Sequence, residues 1–177
     1  MTSVTRSVYF SIFALFGYAN YAMAANEITF SGAVLDQACT VTVNGGSSTL
    51  ELGETAKSDL SAKGSTGAPK SFVIKLGACP AAGAGVPTKA NIKFSGETDG
   101  DPSYFKNKAA TTPAPNVGVL LKQGETAVQV DDGNDDIALP SAGGDVDVAY
   151  TAQLVATNTG ADKGNVVATV TYNVSYN

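Results

Sequence analysis

The chain has 177 residues, 11 of them basic and 16 acidic, for a formal net charge of −5, and it contains neither histidine nor tryptophan. Hydrophobic residues make up 44% and there are 19 glycines, a composition of folded rather than disordered chains. The missing histidine excludes Ser-His-Asp and Cys-His catalysis and removes the usual general base; the acidic balance argues against nucleic acid and anionic membranes as partners.

The first 24 residues read as a secretory signal peptide. "MTSVTRSVYFSIFALFGYANYAMAAN" carries one cation, Arg6, then an apolar run from Val8 to Ala19, then the small-residue signal Ala22-Met23-Ala24. The run is shorter than the ~20 residues of a membrane span. Cleavage is expected after Ala24; cleavage after Ala19 and an uncleaved amphipathic helix are the alternatives. Loss of Arg6, the only arginine, leaves ten lysines against sixteen acids, a net charge of −6.

Strand signals then recur. "EITFSGAVLD" (27–36) puts Ile28, Phe30, Gly32 and Val34 on one face. "CTVTV" (39–43) follows, then a Gly45-Gly46 turn and "STLEL" (48–52). "SFVIKL" (71–76) turns Phe72, Ile74 and Leu76 inward. Further strands are expected at "NIKFSG" (91–96), "NVGVLLK" (116–122), "TAVQV" (126–130) and "DVDVAYTAQLVA" (145–156). The stretches between them, among them "CPAAGAGVPTKA" (79–90), "ETDGDPS" (97–103), "NKAATTPAP" (107–115), "DDGNDD" (131–136) and "TNTGADKGN" (157–165), read as turns and loops. No segment carries a capped 3.6-residue period. Short strands at this spacing predict a single all-β sandwich.

The chain closes on "NVVATVTYNVSYN" (165–177). Val166, Ala168, Val170, Tyr172, Val174 and Tyr176 share one face, and Thr169, Thr171, Asn173 and Ser175 the other. Tyr150, Tyr172 and Tyr176 are expected to fill a core or groove rather than to stack on sugars. No proline or charge blunts the far edge of this strand, so it is expected to present unpaired backbone groups. The segment at 27–36 alternates in the same way, with Gly32 marking a close backbone approach. One molecule thus lacks a strand that another can offer, which predicts strand addition between chains.

Cys39 and Cys79 are the only cysteines. In a secreted chain an even pair reads as one disulfide, with two free buried thiols as the alternative; two cysteines without histidine make a poor metal site. "DDGNDD" offers hard oxygen ligands, but its spacing is not that of a calcium loop, and a solvated turn is the simpler reading. "NGGSS" (44–48) has no lysine and no following helix, so it is a turn rather than a phosphate cradle. No carboxylate pair stands out as a glycosidase pair, and no enzyme activity or cofactor is expected.

Several features together resemble the pilin subunits of Gram-negative chaperone–usher fimbriae, in particular type 1-like fimbrial proteins. They are Phe30, Gly32 and Val34 before the first cysteine, a cysteine pair about 40 residues apart, "NVGV" (116–119), Gly164, and the penultimate Tyr176 closing an alternating strand. The resemblance spans the whole chain after the signal peptide. It implies an incomplete immunoglobulin-like sandwich (39–177) lacking its last strand, preceded by a donor extension (25–38). A periplasmic chaperone would lend the missing strand first. At the outer-membrane usher the extension of another subunit would replace it, building an adhesive surface fimbria. The resemblance assigns Ile28, Phe30, Gly32 and Val34 to the donor strand. It assigns Gly164, Val170, Tyr172, Val174 and Tyr176 to the acceptor groove and chaperone pairing, and Cys39 and Cys79 to the disulfide. Asp36 fits a donor face poorly. A secreted lectin-like adhesin module, or a minor adaptor or tip subunit, is the alternative reading.

Overall fold

The computed structural model describes residues 38–177, except the side chains of 133–135; the expected signal peptide and the donor residues Ile28 to Val34 lie outside them. The described chain is built of nine strands: β1 Thr40–Val43, β2 Lys70–Cys79, β3 Lys89–Ser95, β4 Tyr104–Phe105, β5 Val117–Gln123, β6 Thr126–Ala127, β7 Gly133–Ala138, β8 Gly144–Ala156 and β9 Thr171–Tyr176. The helical elements among these residues are two short 3₁₀ turns, Asn44–Gly46 and Lys57–Leu60.

The strands form two sheets. The larger runs in the order β1-β2-β8-β5-β4, with β6 attached to β5; the smaller runs β7-β3-β9. Every pairing between strands is antiparallel. The alternation that predicted β8 is what buries it. Val148, Tyr150 and Ala152 point into the core, and Asp147 and Ala149 point out.

The two sheets pack face to face. Ile74 and Leu76 of β2, Val148 and Tyr150 of β8, and Ile92 and Phe94 of β3 belong to one buried cluster. Tyr150 ties the layers together: its ring stacks on Phe72 at 5.5 Å within its own sheet and meets Phe94 of the other sheet edge-on at 5.1 Å. A smaller cluster of Leu60, Ala114, Val117, Ala156 and Ala161 closes one end. Cys39 and Cys79 form a disulfide joining the start of β1 to the end of β2, so free thiols are excluded.

Four sequence expectations are corrected. "STLEL" alternates, with Leu50 and Leu52 against the core, but it joins no ladder with another described residue. "TAVQV" keeps only Thr126–Ala127 as strand; beyond it Val128 donates to Leu121 O at 2.9 Å and Val130 to Pro102 O at 2.8 Å, two different elements. "DDGNDD" is not one turn: the turn ends at Asp132 and β7 begins at Gly133, drawn into pairing by β3. The terminal strand is shorter than its alternation, because β3 ends at Ser95, opposite Thr171.

Candidate functional site

The site grows out of the two missing ladders. Residues 47–55 follow the Asn44–Gly46 turn that ends β1, and none of the backbone groups of residues 50–55 bonds to another described residue. On the opposite side, residues 168–170 lead into β9 and make no backbone hydrogen bond to another described residue. These two segments are the lips of a trough between the sheets.

The side chains alternate along both lips. Leu50 and Leu52 face inward from one; Ala168 and Val170 face inward from the other. Phe72, Ile74, Phe94 and Leu121 form the floor, and Tyr172 stands at the rim, 39% exposed. The cavity measures about 470 Å³. A second cavity of about 760 Å³ has walls drawn from the next residues along the same two lips, 53–60 on one side and 161–167 on the other. Its lining is more polar, and Lys57 pairs with Asp162 at 3.0 Å on its walls. The Asp162 carboxyl is held below its ordinary value by the Lys163 N–H first and by Lys57 second.

The positions singled out in the sequence lie along the second lip. Val174 and Tyr176 are on β9, paired with Ile92 and Ala90 of β3, and both are half-buried against the core. The Tyr176 hydroxyl donates to Cys39 O at 3.2 Å, and burial raises its pKa above the ordinary value. Gly164 begins the lip. A Cβ there would come within 2.6 Å of Ala114 Cα and Pro113 C, so only glycine lets the two backbones pass.

The sequence did not point to Leu50 and Leu52 as a lip, although their alternation was visible. Nor did it point to Asn107. The Asn107 side chain donates to Ala114 O at 3.1 Å and Asn165 O at 2.9 Å, and accepts from Ala109 N and Val167 N, both at 3.0 Å. No sequence pattern marks its role, because the two partners on the lip, Asn165 and Val167, are 58 and 60 residues away.

The family model described as "Fimbrial protein" matches residues 28–177. The chain belongs to the fimbrial protein family. This fimbrial subunit is 32% identical over 164 residues to the minor fimbrial subunit HifD of Haemophilus influenzae, covering 85% of this chain and 74% of that one. It is 29% identical over 182 residues to long polar fimbria protein A of Salmonella typhimurium, covering 99% of each. Its fold is similar to that of the P pilus rod subunit PapA, with a TM-score of 0.66 at 20% identity over 80% of this chain and 100% of that one. A chaperone–usher pilus subunit gives the same TM-score at 21% identity, over 88% of this chain and 97% of that one. The fimbrial subunit is therefore all-β, with the immunoglobulin-like fold of these pilus subunits. The family consists of structural subunits that polymerise into surface pili.

Proposed function

We propose that this subunit polymerises by donor-strand exchange, with the trough as acceptor and residues 25–38 of another subunit as donor. The observation that carries this reading is the pair of facing lips, 50–55 and 168–170, each apolar inward and without backbone partners among the described residues. A strand laid between them would find a ladder on both sides. Each completed hydrogen bond contributes about 0.5–1.5 kcal/mol. Ile28, Phe30 and Val34 would each add roughly 1.5–3 kcal/mol on burial, while Gly32 admits a close approach. All these contacts must be lost together for release, so the joint is long-lived. Because groove and extension are different surfaces, the contact does not close on itself and a fibre grows.

In this reading residues 1–24 direct export to the periplasm. There a chaperone strand fills the trough along Val170, Tyr172, Val174 and Tyr176, and the outer-membrane usher exchanges it for the next subunit's extension. The product is a surface fimbria supporting cell adhesion, and the subunit is structural, not catalytic.

The test is to mix the processed chain with a synthetic peptide of residues 25–38. Tight, slowly reversible binding and a raised unfolding temperature are expected. A peptide that neither binds nor stabilises overturns the proposal.

A further inference from the structure

The second lip has two moorings. At one end β9 is laddered to β3 from Thr171 to Tyr176. At the other, residues 165–167 are held by no sheet; they are tied to the irregular segment 107–114. Asn165 N donates to Thr112 O at 2.8 Å, Ala114 N to Asn165 O at 2.9 Å, and Lys108 N to Val167 O at 2.6 Å. The Asn165 amide adds bonds to Thr111 O at 2.9 Å and Thr112 Oγ1 at 3.0 Å. Asn107 is the centre of this clasp. Its carboxamide makes four hydrogen bonds, using both amide protons and both acceptor positions of its oxygen. Two of the four reach the lip directly, at Asn165 O and Val167 N.

Between the moorings hang only residues 168–170, a span of roughly 10 Å when extended. Ala168 and Val170 line a cavity that is mostly apolar among the described residues, so burial draws this span inward. Held at both ends, three residues are too short to drop across the trough. Released at the clasp, the segment from Gly164 to Val170 would be anchored through β9 alone, with more than twice the free length to move inward.

We propose that Asn107 is a positioning residue for subunit joining: its clasp keeps the empty trough from closing on its own lip, so that an incoming strand meets an open acceptor. This rests on the donor-strand reading above and names what keeps its acceptor ready. Holding a site in its binding-ready shape lowers the ordering cost of association. In a filled trough the donor itself supports the lip, so the clasp matters most before capture.

The experiment measures how fast the processed chain captures a fluorescent peptide of residues 25–38, comparing wild type with Asn107→Ala and Asn107→Asp. The melting temperature of each peptide-filled complex is measured in parallel. Both variants are expected to capture about tenfold more slowly at neutral pH, with the filled complexes melting close to wild type. Asn107→Asp keeps the acceptor oxygen but cannot donate to Ala114 O and Asn165 O while ionised. Acidification restores a donor, so its rate relative to wild type at the same pH is expected to recover as the carboxyl protonates. Variants that capture at the wild-type rate overturn the proposal, as does a slowing matched by an equal loss of stability in the filled complex. Wild type failing to capture the peptide would instead overturn the donor-strand reading itself.

Discussion

The Tyr176 hydroxyl donates to Cys39 O at 3.2 Å, joining residues 137 apart in sequence. The bond links the end of β9, in the small sheet, to the disulfide that anchors β1 to the large one. It therefore fastens the two sheets at one end of the trough. Tyr176→Phe keeps the ring and removes the bond, and is expected to lower stability by about 0.5–1.5 kcal/mol, read from urea unfolding. Burial raises the pKa of this phenol in the folded state above its unfolded value. Stability from the neutral phenol is thus complete below the ordinary tyrosine pKa of 10.0 and is lost as pH rises through the higher folded value. That alkaline loss is expected to be smaller in Tyr176→Phe.

Gly164 lies where Pro113 and Ala114 leave no room for a side chain. Both neighbours are backbone, so neither can rotate away. Gly164→Ala is expected to cost about 1–3 kcal/mol and to disturb the adjoining clasp. Urea unfolding of the processed subunit measures the first effect, and the rate of peptide capture the second.

How much of this was legible in the sequence depended on whether partners were local. β8 could be read because β-branched and aromatic residues alternate along its first half, and each side chain reports its own face, whereas β5 showed as a short continuous apolar run. The apolar positions of "STLEL" were equally legible, but its lack of a ladder was not, since pairing is a property of whatever lies alongside. β7 was hidden: "GNDDIA" has weak strand propensity, and pairing with β3 overrides it. The clasp was hidden for a different reason. Asn107 and Asn165 are 58 residues apart in an exposed, irregular region, where polar residues give no periodic signal.

Cys39 and Cys79 close a loop with a sequence separation of 40. Replacing both by serine is expected to cost about 4 kcal/mol by the chain-entropy estimate. Because β1 carries the first lip, the loss is also expected to reduce peptide capture. Denaturation midpoints of oxidised, reduced and doubly substituted protein check this; equal midpoints would contradict it.

Ala78, at the bulge before Cys79, has φ 51, a left-handed backbone that alanine adopts only at a cost. Asp145 stabilises this conformation: it accepts from Ala78 N at 2.9 Å and pairs with Lys75 at 2.6 Å. Ala78→Gly is expected to raise stability by roughly 1 kcal/mol. The hydrogen bond from Lys75 first, and the Ala78 N–H next, hold the Asp145 carboxyl below its ordinary value of 3.8. Its contribution is therefore present above that value and lost as pH falls through the lower folded one. Acid titration of Asp145→Asn is expected to lack this component, and a curve identical to wild type would contradict the assignment.

Donor-strand joining requires both lips to accept the same inserted strand. Residue-resolved hydrogen exchange on the processed subunit, with and without the peptide of residues 25–38, measures this directly. Amides in 50–55 and 168–170 are expected to exchange quickly in the free chain and at least tenfold more slowly once the peptide is bound. Lips that are already protected in the free chain, or that stay unprotected after the peptide binds, would contradict it.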